Sequence, residues 1–255
     1  MMGKRLLGMA ALFMVGTVLL AGSAGAAMVR VGTLVLRADG GFKPQLLPRH
    51  RRVPIRFQGY GNIGTTDGSQ PPALQHAKIE FDRDGRLTTA GLPACPPAKL
   101  EGTTPKQARS RCRGAIVGTG HVAAEVSLAG LARVELRSPL TVFNGPRQNG
   151  NPTVIGHARA PFPVSETYVV VAPIERRRGV FGYRTSFDVP PIAGGLGSLT
   201  HVDTKLGRTY RSGGQKRSFV SARCSDGILQ TQGYFSFSDG NVIYGSVFKF
   251  CRARR

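Results

Sequence analysis

Tryptophan is missing from this chain of 255 residues, and acidic side chains are scarce, with 14 Asp and Glu against 35 Lys and Arg. Aromatics make up only 7% of the sequence. Single-strand nucleic-acid platforms interleave basic residues with stacking rings, and here there is little to stack on. The lack of Trp also counts against a lectin-type sugar module, although Tyr60, Tyr168, Tyr183 and Tyr210 remain as rings able to lie on a sugar. Carboxylate chemistry is narrowed further by position. Five Asp (Asp39, Asp67, Asp84, Asp226 and Asp239) precede Gly, the dipeptide that tolerates the positive φ of hairpin turns. A glycosidase needs two carboxylates across a cleft. Strand parity places only Glu125 and Glu135 on one face, and with Arg133 and Arg137 beside them they read as a surface charge ladder.

Other chemistries lack their motifs. There is no G-x-S-x-G elbow, and the Gly-rich stretch Val189 to Ser198 has no following Lys or helix to make a nucleotide loop. Asp82-Arg83-Asp84-Gly85 starts like a calcium loop but lacks the later carboxylates. The five histidines (His50, His76, His121, His157 and His201) have no partner at the spacing of a metal motif. No metal or other cofactor is expected. His121 with Glu125, on an exposed strand face, is the nearest approach to a catalytic pair.

The N-terminus reads as an export signal. Lys4 and Arg5 precede an apolar run from Leu6 to Leu20 and an A-x-A site at Ala24-Gly25-Ala26, so residues 1–27 are expected to be removed near Ala26 or Ala27. Ser23 stands where a lipoprotein box needs Cys, no wall-sorting signal is present, and no later run is long enough to span a membrane. A secreted, extracellular location is expected. In an oxidising compartment the four Cys read as two disulfides with three possible connectivities. The nearest-neighbour pairing Cys95–Cys112 and Cys224–Cys251 is preferred, each bridge contributing about 3 kcal/mol on the chain-entropy model.

What remains is a strand-and-turn chain with 34 Gly and 17 Pro. Val29 to Arg37 is expected as the first strand, ended by Asp39-Gly40-Gly41. Val53 to Gln58 is the second, and a hairpin over His76 to Thr89 turns at Asp84-Gly85. Thr104 and Pro105 start a short helix between Cys95 and Cys112. From Ile116 the period becomes two, with Gly118, Gly120, Val122, Ala124 and Val126 inward and His121 and Glu125 outward. A three-residue loop after Leu128 sets Glu125 opposite Glu135; a five-residue loop sets it opposite Arg137. Phe143 to Pro146 reads as a turn. The final strand, Asn241 to Phe250, is apolar on both faces and is expected in the centre of a sheet. The expected fold is all-β: a single-domain antiparallel β-sandwich over 28–255, jelly-roll-like or Ig-like, with about a dozen strands and one short helical segment.

Once Lys4 and Arg5 are gone, 33 basic residues remain, scattered along the chain. That scatter reads as coding bias and solubility, while the net charge of +21 on the full chain favours anionic partners. Several stretches together resemble an uncharacterised family of exported actinobacterial proteins: TTDGSQPP (Thr65 to Pro72), IEFDRDGRL (Ile79 to Leu87), GLPAC with ARSRC and AIVGTG, LTVFNGP (Leu140 to Pro146), VPPIAGGLGSLT, SARCSDG and FSDG. The resemblance implies export and disulfides and carries no known activity. The function expected is a secreted, non-enzymatic β-sandwich protein that binds acidic cell-envelope or extracellular polymers. A secreted hydrolase on the same scaffold is the alternative, and extracellular nucleic-acid binding a third.

Overall fold

The computed structural model describes residues 26–128, 130, 132–162 and 165–254; the expected export signal lies outside them up to Gly25, as does Arg255. The strands are β1 (Ala27–Val31), β2 (Leu34–Lys43), β3 (Leu46–Pro48), β4 (Val53–Pro54), β5 (Arg56–Thr65), β6 (Leu74–Asp82) and β7 (Gly85–Leu87). After helix α1 (Pro105–Arg111) come β8 (Ile116–Val126), β9 (Val134–Gln148), β10 (Asn151–Ala160), β11 (Glu166–Arg176), β12 (Phe181–Asp188) and β13 (Gly197–Leu206). The chain finishes with β14 (Thr209–Ser212), β15 (Gln215–Ser218), β16 (Val220–Ala222), β17 (Ile228–Phe237), β18 (Val242–Phe250) and β19 (Arg252–Arg254).

Twelve of these strands form one antiparallel sheet in the order β1-β2-β5-β13-β8-β9-β10-β11-β12-β6-β17-β18. A twisted sheet this wide curls. Here it curls until β1 and β18 lie side by side without a hydrogen-bonded ladder, Val29 of β1 packing towards Gly245 of β18. Lys249 of β18 and Asp39 of β2 close the seam with an ion pair of 2.6 Å. The expected all-β antiparallel fold is present, its layers being parts of one sheet folded over itself. Leu34, Leu36 and Ile63 from one flank bury against Leu74, Phe237 and Ile243 from the other. Phe57 of β5 meets Phe81 of β6 edge-to-face inside, with ring centroids 6.1 Å apart.

Because every ladder of the large sheet is antiparallel, its connections fall at two ends. One end has links of no more than about eight residues. The other has two short links, β9–β10 and β11–β12, and the long ones, which carry the small sheets β4-β16-β7, β14-β15 and β3-β19. Both disulfides form there as preferred, Cys95–Cys112 and Cys224–Cys251. Cys224 and Cys251 sit with Phe42, Leu47 and Ile55 in a cluster that plugs this stapled end. Cys95 and Cys112 brace a second segment, which runs back along the outer wall. Thr104 caps α1 through a capping box with Gln107, and Leu100 and Ala108 cover Phe143 and Ile155 on β9 and β10.

Several sequence expectations give way. Val29 to Arg37 is two strands, split at Gly32, whose φ is +59°. Asp39-Gly40-Gly41 lies inside β2, where a side chain at Gly40 would press on the Gln58 carbonyl. Phe143 to Pro146 is not a turn but part of β9, held there because Phe143 is fully buried under the stapled segment and Asn144 binds Pro93 and Cys95. β7 pairs with β16 and not with β6, so the hairpin at Asp84 does not form. β18, expected in the centre, is the last strand of the sheet, because the curl gives it a core on its inner face only.

Candidate functional site

The fold gathers what the sequence scatters. Among connections leaving the stapled end, residues 43–56 carry five Lys and Arg, 82–116 seven, 147–152 one, 176–181 three, 205–228 six and 249–254 three. Their carboxylates are Asp82, Asp84, Glu101 and Asp226. The links of the opposite end (31–34, 65–74, 126–134, 160–166, 188–197 and 237–242) carry Arg133 alone against Asp67, Glu166, Asp188 and Asp239.

Part of this basicity is structural. Long connections leave carbonyls without ladder partners, and guanidinium groups serve them. Arg208 donates to the carbonyls of Gly114 and Ile116 at 2.6 and 2.8 Å, and Arg52 to those of Arg83 and Asp84. Asp84, 1% exposed, accepts from Arg223 Nε at 2.7 Å and from the Ser225 amide at 2.6 Å. Burial opposes the charge on Asp84, but the hydrogen bonds from Ser225 and Arg223 outweigh it and hold its carboxyl below the usual range. Asp82, raised by burial, anchors the amides of Asp84 and Gln230. The calcium-loop start is thus a structural corner.

Three other arginines are committed to no carboxylate among the described residues. Arg86 from β7, Arg147 from the end of β9 and Arg176 from the end of β11 line a cleft of about 280 Å³ together with Tyr183, Thr88 and Asn151. No Asp or Glu lines it. The tight β9–β10 turn, with Asn149 and Gly150 both at positive φ, places Arg147, whose Nη1 donates to the Gly150 carbonyl at 2.6 Å. Pairing of Arg176 with Tyr183 across β11 and β12 places the other wall. Such a cleft suits phosphate or carboxylate groups, which guanidinium binds in a fork. A second, half-open space of about 50 Å³ is mostly apolar, beside Val122, Leu136 and Leu199.

The catalytic pair suggested by the sequence does not assemble. His121 faces Asp203 at 3.3 Å, and Glu125 is taken by Arg133 at 3.3 Å. Four residues of strand separate His121 from Glu125 by about 13 Å. Glu125 and Glu135 are register partners, shielded by Arg133 and Arg137, so the charge ladder forms in its less favourable register. Among the described residues no three His, Cys, Asp or Glu are arranged to hold a metal ion.

Sequence reasoning missed one constellation. His76 Nδ1 lies 2.7 Å from Asp188 Oδ1, and its Nε2 lies 2.8 Å from Ser186 Oγ. Ser186 and Asp188 share a face of β12 at spacing two, and Asp188 is the register partner of His76 on β6. This is the connectivity of a serine–histidine–aspartate triad. It stands on the open outer face, with Asp188 90% exposed. The only sequence signal was the S-x-D spacing; the histidine comes from a strand more than 100 residues away.

Comparison of the chain with family models, with curated proteins and with solved structures finds no match in any of the three.

Proposed function

We propose that the chain is an exported, non-catalytic binding protein of the cell envelope or extracellular space, and that its arginine-rich end takes an acidic polymer. The observation that carries this reading is the Arg86–Arg147–Arg176 cleft, free of carboxylates, at the end where the basic connections converge. Export is supported by the signal-like first 27 residues, by two disulfides and by the resemblance to exported actinobacterial proteins. No helix among the described residues is long and apolar enough to cross a membrane. The test is retention of the purified protein, lacking residues 1–27, on immobilised polyuronate and polyphosphate at low salt. Retention released by salt and weakened by Arg86→Gln, Arg147→Gln and Arg176→Gln together is the expected result. Passage through both matrices at low salt sinks the reading. Preferential, steeply salt-dependent retention on DNA moves it to nucleic acid.

A second reading, a secreted hydrolase, has one observation in its favour: the Ser186–His76–Asp188 hydrogen bonds. It requires Ser186 to react with a fluorophosphonate probe and the labelling to vanish in Ser186→Ala. An unlabelled wild type removes it.

A further inference from the structure

The outer face of β18 is the least conventional surface of the molecule. Val242, Tyr244, Phe248 and Phe250 alternate along one side of this strand and are between 41% and 56% exposed, while Ile243, of opposite parity, is fully buried. Ile228, the register partner of Phe250 on β17, is exposed as well. Large side chains left in water along most of a strand are unusual in a soluble domain, and such stripes mark docking surfaces. This one runs about 27 Å along the wall at strand rise.

What the stripe runs into identifies its occupant. After Cys251 the chain enters β19, which pairs in parallel with β3, setting Arg252 opposite Leu46. Leu46 is exposed, and β3 leads directly into the exposed run Arg49, His50, Arg51 and Arg52. The apolar stripe therefore ends in a basic cluster on the same side of the stapled end. Lys78 extends the basic border along the wall, its Nζ 4.5 Å from the Tyr234 ring centre. Asp39 is engaged by Lys249, and Glu80 by Arg184 at 2.7 Å, while Asp226 and Asp239 at the two ends of the stripe accept from backbone amides of their own turns. Aromatic and aliphatic side chains that can enter an interface, bordered by arginines, complement a bilayer surface with anionic headgroups. A polymer alone has no need of the apolar stripe, and a second copy of the chain would bring one highly basic cluster against another.

We propose that the β18 face, with Ile228, Leu46 and the Arg49–Arg52 cluster, is a peripheral docking surface for an anionic lipid bilayer, separate from the Arg86–Arg147–Arg176 cleft. The site does not depend on the polymer reading. Co-sedimentation of the protein without residues 1–27 tests it, using vesicles of phosphatidylcholine alone and mixed with phosphatidylglycerol. Binding to mixed vesicles only is expected. Phe248→Ser with Phe250→Ser, and separately Arg49→Gln, Arg51→Gln and Arg252→Gln, should each weaken it at least about tenfold. Both sets are surface positions, and unchanged thermal melting confirms folding. The Phe pair should leave polyuronate and polyphosphate retention unchanged. No vesicle binding by wild type, or equal binding by the Phe variant, overturns the proposal. It is also overturned if the Phe substitutions abolish polymer retention, making the stripe a polymer platform, or dissolve a concentration-dependent dimer, making it a self-contact.

Discussion

The two ends of the sheet solve the same problem with different means. At the short-loop end, links of no more than about eight residues join the strands, and charge is sparse: Arg133 and four carboxylates. Asp67 closes one such link by accepting from Ser69, which pulls its carboxyl down to about 2. At the stapled end three links are long (residues 43–56, 82–116 and 205–228), and their backbone groups need partners that ladders do not provide. The buried Asp84 carboxylate and arginine side chains supply some of these partners, and the disulfides tie the links together. Arg86 of one long link meets Arg147 and Arg176 of the two short ones in the carboxylate-free cleft. Both ends carry side-chain bonds between links, such as Arg133 to the Gly68 carbonyl at the short-loop end, but only the stapled end adds disulfides and a buried carboxylate and gathers a basic surface that can bind.

The largest effects should follow from cutting those cross-links. On the chain-entropy model, loops of 27 and 17 residues give about 3.5 and about 3 kcal/mol for Cys224–Cys251 and Cys95–Cys112. Cys224→Ser with Cys251→Ser, and Cys95→Ser with Cys112→Ser, should show these losses in urea melts. Loss of under about 1 kcal/mol from both would break the comparison. Next comes Asp84→Asn, which leaves Arg223 without its counter-charge and should cost about 2–3 kcal/mol. The Asp84 carboxyl lies below its unfolded value of 3.8. Its contribution is therefore present above that pH and lost as pH falls through the folded value. The variant should flatten that acid limb.

How much of this contrast was legible from residues alone differs by element. The Thr104 cap and the cysteine pairing are local patterns, and each appears as read; the β8 alternation holds for exposed His121 and buried Val126 but breaks at Val117, buried beside a register shift, and at buried Ala123. The strand order is not local. β6 pairs with β12 and β17, strands more than 90 residues distant, and no periodicity encodes that choice. Asp39-Gly40 and Phe143 to Pro146 misled because turn residues were judged without their neighbours. One carries a seam ion pair and the other lies under a stapled segment. The arginines looked scattered because convergence is a property of where loops return, and the Ser186–His76–Asp188 bonds cross strands for the same reason.

Binding sharpens the comparison further. Replacing Arg86, Arg147 and Arg176 with Gln should reduce low-salt polymer affinity at least about tenfold, about 1.4 kcal/mol. Asp67→Asn with Asp239→Asn at the other end should leave it unchanged at physiological salt, since about 30 Å of strand exceeds the Debye length of about 8 Å. A smaller effect tests the stapled segment where it crosses the wall. His157 is fully buried beneath it, its Nε2 2.9 Å from Thr103 Oγ1, and burial lowers its pKa. The unfolded chain takes up this proton first, so stability should decline as pH falls below the unfolded value of 6.5. His157→Asn should remove that decline from pH-dependent urea midpoints.

The smallest effect belongs to the short-loop end. Glu125 and Glu135 stand opposite each other on β8 and β9, an arrangement that repels when left bare. Arg133 lies 3.3 Å from Glu125, and Arg137 lies 3.0 Å from Glu135. All four side chains are at least a third exposed, where water weakens both attraction and repulsion. Glu135→Gln removes one repulsion and one attraction together, so the two losses offset. The unfolding free energy from urea melts should change by no more than about 0.5 kcal/mol in either direction, with polymer retention unchanged. A loss of about 2 kcal/mol would mean that the surface ion pairs of this end carry as much stability as the buried Asp84 pair of the other, and the distinction between the ends would fail.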